Sequence, residues 1–379
     1  MGTGTDGAIG DWREDVLGEG FECRDLALGE DEQGPLVATL VRSVPARPRL
    51  WDRILHRRRP LEGVDVLYVH GWSDYFFQRC LAEFWTDRGA RFFALDLRKY
   101  GRSLREGQTP GYVENLDDYD IEIGLAVEEI RGAGGDRRLV LFGHSTGGLI
   151  LSLWADRHRG TADAVVLNSP WLELQVSGAV RRALAPVVNL HARHSPHDLA
   201  LPQLDLGFYK RSQGMVAEPD EQALVNLEWR PEHAQPVRAG WLRAILDGHA
   251  RIERGIDVGA PACVLLSARS SFGMTWREDM LRADTVLEVE GVARASLRLG
   301  PTVTIERIDG ALHDVFLSER RARASAYRRL DCWVTGWAAA YGAHGAGADE
   351  DLAPDQGAAE PAAERDGREV ADPVRGPMP

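Results

Sequence analysis

Residues 143–147 read Gly-His-Ser-Thr-Gly, and their surroundings constrain the fold more than any other feature of the chain. The apolar run Leu139-Val140-Leu141-Phe142 precedes them and Gly148-Leu149-Ile150-Leu151-Ser152-Leu153 follows. A G-x-S-x-G pentapeptide therefore sits between a strand and a helix. That turn is so tight that the serine backbone is strained and a side chain two positions away on either side would collide. Gly143 and Gly147 remove those collisions. The helix N-terminus behind the serine favours developing negative charge, and a neighbouring base would activate its hydroxyl. Ser145 is the candidate nucleophile, so the rest of the chain must supply a base, an acid and oxyanion donors.

The runs flanking this turn belong to a longer pattern. Phe21 to Leu28 and Leu36 to Ser43 predict an N-terminal antiparallel hairpin, joined by the turn-rich Gly29-Glu30-Asp31-Glu32-Gln33-Gly34. Apolar runs recur at Val64 to Val69, Arg91 to Leu95, Arg138 to Phe142, Ala164 to Leu167, Ala262 to Leu266 and Thr302 to Ile308. Helix-like segments between them include Phe76 to Arg88, Tyr119 to Ile130 and Leu149 to Arg157. This alternation predicts an α/β fold with a mostly parallel eight-stranded sheet covered by helices on both faces.

The stretch between Leu167 and Ala262 is too long for a simple crossover. It predicts an inserted cap over residues 170–255, with Pro170-Trp171-Leu172-Glu173-Leu174, the amphipathic-looking Val176 to Leu190, the Tyr209-Lys210 region, Trp229 and Trp241. Such aromatic and aliphatic content suits a lid over an apolar pocket. The organisation read from the chain is a flexible terminus over 1–19, core over 20–169 and 256–341, and a disordered acidic tail over 342–379.

A formal net charge of −13 argues against nucleic-acid or anionic-membrane partners, which need clustered positive charge. Cys23, Cys80, Cys263 and Cys332 show no C-x-x-C spacing and mostly adjoin apolar residues, as buried thiols in a reducing compartment do. No apolar run is long enough to span a bilayer, and no basic region followed by an apolar stretch opens the chain. The expectation is a cytoplasmic protein without a stable membrane anchor. Of 45 basic residues only Lys99 and Lys210 are lysine.

In an α/β sheet, the partners of a hydrolytic serine come from loops at the carboxyl ends of the strands. His313 follows the last predicted strand by five residues, in Asp309-Gly310-Ala311-Leu312-His313-Asp314, and is the candidate base. Asp314 is a poor orienter because adjacent side chains point apart. Asp284, between the seventh and eighth strands, suits the Ser, acid, His order, although Arg269 to Ala283 must loop out and return. Asp279 and Glu173 remain alternative acids. The backbone N–H groups of Trp72 and Thr146 are the candidate oxyanion hole, with Gly71 letting the loop approach closely. His70 reads as a hydrogen-bonder within its turn, and Asp96 to Ser103 as a charge-fixed loop. His191, His194, His197 and Asp198 lack metal-ligand spacing, so no metal is expected.

Together, Tyr68-Val69-His70-Gly71-Trp72, Ala94 to Ser103, Gly143 to Gly148, Asn168-Ser169-Pro170 and Ala311-Leu312-His313-Asp314 resemble the α/β-hydrolase superfamily. Within it they resemble the monoacylglycerol lipase and lysophospholipase-like branch, which includes serine aminopeptidase-type members. The resemblance spans roughly residues 20 to 340. It implies Ser145 as nucleophile, Asp284 as acid, His313 as base, Trp72 and Thr146 as oxyanion donors, and a cap after Pro170. Two departures are Lys99-Tyr100-Gly101 where the family has Gly after Arg98, and a lengthened loop before Asp284. The implied activity is cleavage of a small-molecule ester with an apolar acyl group through an acyl-enzyme, without a cofactor. Thioesterase, amidase or peptidase chemistry on the same residues, and a binding-only role, are the alternatives. Epoxide hydrolases resemble this fold with an aspartate where Ser145 stands.

Overall fold

Alternate residues of the central strands feed two separate apolar layers. Leu67, Val69, Leu139, Leu141, Val165, Leu167, Val264 and Leu266 belong to one, and Val66, Tyr68, Val140, Phe142, Val166, Cys263 and Leu265 to the other. This follows from the period of two in a strand: a sheet buried on both faces needs strands that are apolar at every position. The computed structural model describes residues 8–43, 59–174, 186, 188, 190–200 and 205–344.

The strands are β1 (Ala8–Glu14), β2 (Phe21–Asp31), β3 (Gly34–Ser43), β4 (Val64–Val69), β5 (Arg91–Asp96), β6 (Arg138–His144), β7 (Ala164–Asn168), β8 (Ala262–Ser267) and β9 (Val303–Ile308). They form a nine-stranded sheet in the order β1-β2-β3-β5-β4-β6-β7-β8-β9. The first three strands and the β3–β5 pair are antiparallel; the pairs from β5 to β9 are parallel. Two expectations need correcting. The sheet has nine strands rather than eight, because residues 8–14, expected as part of a flexible terminus over 1–19, pair with β2. The hairpin turn is also tighter than expected, since Asp31 pairs with Gly34 and leaves Glu32-Gln33 between the strands.

Helices cover both faces. On the first lie α2 (Asp120–Gly132), α3 (Thr146–Arg157), α5 (Ala239–Arg254) and α6 (Val289–Ser296), through residues such as Ile123, Leu149, Ile245 and Val292. On the second lie α1 (Arg79–Asp87) and α7 (Arg320–His344), through Leu81, Trp85, Leu330 and Val334. The helix α4 (Phe208–Val216) lies in the stretch read as a cap. Helix α5 closes that stretch yet contributes Trp241, Ala244 and Ile245 to the core. Most of Val176 to Leu190 lies outside the described residues. So does the acidic tail from 345 on, whereas 342–344 finish α7.

All four cysteines are unpaired; Cys23 and Cys263 are buried, but Cys80 and Cys332 are exposed, contrary to the reading of buried thiols. Among the described residues no helix is long and apolar enough to cross a membrane.

Chain reversal positions the site. The chain passes from β4 to β5 on one side, then returns to β6 on the other side of β4. Loops leaving β4 and β6 therefore diverge at their carboxyl ends and open a crevice there.

Candidate active site

Ser145 sits between β6 and α3 with φ 52° and ψ −118°, a backbone conformation that L-residues rarely hold. Its surroundings over-determine that strain: Ser145 N–H donates to Asn168 O at 3.0 Å, and Ser145 O accepts from Gly148 N at 3.0 Å and Trp171 N at 2.9 Å. The neighbouring glycines are required by contact. A Cβ on Gly143 would lie 2.6 Å from Gly148 Cα, and one on Gly147 would collide with the carbonyl oxygens of Val69 and His70.

His313 follows β9 and stands between two partners. Its Nε2 lies 2.9 Å from Ser145 Oγ and its Nδ1 2.9 Å from Asp284 Oδ2. Ser145 is 8% exposed, His313 3% and Asp284 0%. The excursion before Asp284 does return: Asp284 N–H donates to Arg269 O at 3.0 Å, Ser271 N–H donates to Asp284 O at 2.8 Å, and Ser270 and Asp284 form a parallel bridge. The carboxylate is pinned as well, because Oδ1 accepts from the backbone N–H groups of Val286 at 2.7 Å and Leu287 at 2.8 Å. That leaves Oδ2 for the imidazole and selects the tautomer with the proton on Nδ1, so that Nε2 can accept from Ser145.

The two other acids are engaged elsewhere. The Asp279 side chain is more than half exposed and pairs with Arg277 and Ser271. Glu173 lies beside the first turn of α6, where a Cβ on Gly291 would come within 3.0 Å of its Oε2. Asp314 caps the short turn after it and binds Asn168 and Gln78.

Gly71 brings the β4 loop against the nucleophile, since a Cβ there would be 3.0 Å from Ser145 Cβ. Among the described residues, neither the Trp72 nor the Thr146 main-chain N–H has an acceptor, and both residues line the cavity that contains Ser145 and His313. The Trp72 indole is held by Gln235 O at 3.3 Å. His70 is a structural residue: Leu97 N–H donates to its Nε2 at 3.1 Å, which leaves Nδ1–H to donate to Gly71 O at 2.8 Å. Asp96 is fully buried and accepts from Phe76 N, Arg102 N and the Arg102 guanidinium. The His197 ring packs on Tyr112 at 4.5 Å, and no group of three or more His, Cys, Asp or Glu among the described residues is placed to hold a metal ion.

The cavity has a volume of about 570 Å³. One wall is aromatic: the Trp241 ring packs against Trp72 at 3.9 Å, tilted by 41°, and lies 6.0 Å from Trp171. Charged residues line the cavity as well. Tyr209 sets its ring edge-on to His313 at 5.4 Å, and Lys210, Arg230 and Asp74 follow. Arg230 Nε donates to Asp74 Oδ1 at 2.6 Å. Burial works to raise the Asp74 pKa, but Arg230, joined by Lys210, His144 and His70, outweighs it and holds the carboxyl below its usual range. Sequence reading noted Tyr209 and Lys210 only as part of the insertion and missed Asp74 and Arg230 altogether. One signal was available: Lys210 is one of only two lysines in an arginine-dominated chain.

A nine-stranded, mostly parallel sheet with a serine on the β6–α3 turn and a histidine after β9 defines an α/β-hydrolase fold. The family model of serine aminopeptidase, S33, matches residues 64–273, more than half of the chain, and the protein belongs to that family. Phospholipase YtpA of Bacillus subtilis is 29% identical over 121 residues, covering 31% of this chain and 44% of that protein. Epoxide hydrolase 3 of Xenopus tropicalis is 35% identical over 119 residues, covering 30% of this chain and 29% of that protein. The matches therefore span less than half the length of either curated relative. A soluble variant of the monoglyceride lipase of Saccharomyces cerevisiae, solved with a substrate analog, is similar with a TM-score of 0.55 at 15% identity, covering 88% of this chain and 98% of that one. At that identity the likeness is one of fold.

Proposed function

We propose that the protein is a serine hydrolase that cleaves carboxylic esters with an apolar acyl group, such as lysophospholipids or monoacylglycerols. The observation that carries this reading is a single imidazole, His313, lying 2.9 Å from both Ser145 Oγ and Asp284 Oδ2 at the floor of a cavity with an aromatic wall. His313 Nε2 takes the Ser145 proton as Oγ attacks the ester carbonyl, and Asp284 steadies the imidazolium through Nδ1–H. The tetrahedral oxyanion accepts from the N–H groups of Trp72 and Thr146. Collapse breaks the bond to the leaving oxygen, which takes the proton from His313 Nε2 and departs as the alcohol. Water, deprotonated by His313, then attacks the acyl-serine, and the carboxylic acid leaves with Ser145 regenerated. The scheme uses no cofactor.

The aromatic wall of Trp72, Trp171 and Trp241 suits an acyl chain, and the phospholipase and monoglyceride lipase among the similar proteins point the same way. An epoxide hydrolase reading meets a serine, not an aspartate, at position 145. The test is fatty-acid release from a panel of monoacylglycerols and lysophospholipids by the wild type and Ser145→Ala. Turnover that Ser145→Ala lowers by more than about a thousandfold supports the reading. Equal release by both proteins, or none by the folded wild type, overturns it.

A further inference from the structure

We propose that Lys210, with Arg230 beside it, forms a subsite for an anionic group, a phosphate or a carboxylate, carried by the leaving alcohol of the ester. The proposal rests on the ester-hydrolase reading and assigns the two sides of the cavity. In that scheme His313 protonates the leaving oxygen, so the alcohol must lie on the His313 side. Tyr209 stands there, edge-on to His313, and Lys210 is the next residue of α4. The Trp72, Trp171 and Trp241 wall is left for the acyl chain.

Asp74 and Asp205 match Lys210 and Arg230 in formal charge, yet both carboxylates are engaged by other groups. Asp74 is committed to Arg230 through a 2.6 Å contact, and Arg230 Nη2 also donates to Gln213 Oε1 at 2.7 Å. Asp205, the other nearby carboxylate, accepts from Gly207 N at 2.8 Å and Ala234 N at 2.6 Å. Among the described residues, the Lys210 ammonium has neither a hydrogen-bond acceptor nor a carboxylate within ion-pair distance. Lys210 lines the cavity as a part-buried side chain, and an ammonium placed there without a partner of its own can take one supplied by a ligand's anion. Burial, and then repulsion from Arg230, push the lysine well below its ordinary range despite the opposing pull of Asp74 and Asp205.

The same two cations border a second cavity of about 580 Å³, whose lining adds Arg211 and His233 against the single acid Glu232. In a chain with a formal charge of −13, and with Arg230 offset by Asp74, Lys210 and Arg211 still outnumber Glu232 along this lining. A charged alcohol would be drawn toward it, whereas free glycerol would not.

The test compares three esters of one short acyl chain, used as monomers in solution: a monoacylglycerol, the corresponding monoacylglycerol phosphate and the corresponding monoacylglycerate. The wild type is expected to favour at least one anionic ester over the neutral one by about tenfold or more in kcat/KM, chiefly through KM. That preference collapses toward one in Lys210→Gln and persists in Lys210→Arg. The preferred anion distinguishes phosphate from carboxylate. Glycerol 3-phosphate or glycerate should also inhibit wild-type cleavage of the neutral ester competitively where glycerol does not, a readout independent of any variant. No preference for either anion, or an unchanged preference in Lys210→Gln, overturns the subsite. Neutral-ester cleavage that depends on Ser145 would leave the hydrolase reading standing in that case; no Ser145-dependent cleavage of any of the three would remove both.

Discussion

Replacing Asp284 by Asn changes one atom, yet the structure fixes what that atom does. Oδ1 receives two backbone N–H groups, from Val286 at 2.7 Å and Leu287 at 2.8 Å, so the amide oxygen of Asn must stay there. The opposite flip would point an NH₂ group at two buried N–H donors and leave them unpaired, at about 1–3 kcal/mol each. The NH₂ therefore faces His313 Nδ1, now 2.9 Å from a donor instead of an acceptor. The imidazole must shift its proton to Nε2, the nitrogen that faces Ser145 Oγ, and it can no longer accept the serine proton. The expected loss in kcat is about 10⁴-fold, roughly 5 kcal/mol of activation free energy, which is the order this exchange costs in a serine protease triad. Both backbone bonds survive, so the thermal midpoint should move by only a few degrees. Asp284→Ala would add the penalty of two orphaned donors. Steady-state hydrolysis of a chromogenic ester, with thermal unfolding on the same samples, reads both effects. Asp284→Asn activity within about tenfold of wild type would refute the tautomer argument and return Asp279 and Glu173 to consideration.

Ser145→Gly should abolish turnover and raise the urea midpoint, because φ 52° and ψ −118° cost a serine about 1–3 kcal/mol and a glycine almost nothing; a lowered midpoint would mean that the turn stores no strain. Arg102→Met should destabilise the fold by about 3–5 kcal/mol, since it strips a buried guanidinium from Asp15 and Asp96 and leaves two carboxylates buried. A change below about 1 kcal/mol in denaturant unfolding would refute that. Burial, reinforced by His313 and opposed by Asp314 and Asp74, holds the His144 imidazole below its ordinary value of 6.5. As pH falls through 6.5 the unfolded chain therefore gains a proton before the folded one, and stability present above 6.5 is lost on acidification. His144→Asn should flatten the fall in thermal midpoint between about pH 7 and pH 5; an equal slope in both proteins would place the proton uptake elsewhere.

The parallel strands were legible because a strand buried on both faces must be apolar nearly throughout, and β4, β6, β7 and β8 are, apart from Asp65 and their terminal residues. The turn at Ser145 was legible because the G-x-S-x-G spacing sits directly between an apolar strand run and a helix-like run, although the contacts that demand Gly147 come from the distant Val69 and His70. β1 was not, since Ala-Ile-Gly-Asp-Trp-Arg-Glu carries little strand pattern and owes its conformation to pairing with β2. Chain order brought Asp284 forward, but only the tertiary bridge to Ser270 shows how fifteen intervening residues, from 269 to 283, are set aside. The Asp74, Lys210 and Arg230 group was invisible for a different reason. Its members come from three distant segments, and isolated charges in a sequence read as solvated surface until a fold places them around one cavity.

The most direct measurement is the intact mass of the protein after exposure to a serine-directed organophosphonate, taken on the wild type, Ser145→Ala and His313→Ala. The account requires one adduct on the wild type and none on either folded variant, because the serine must be present and its base must activate it. An adduct that persists in Ser145→Ala, or a folded wild type that stays unlabelled, would contradict Ser145 as an activated nucleophile.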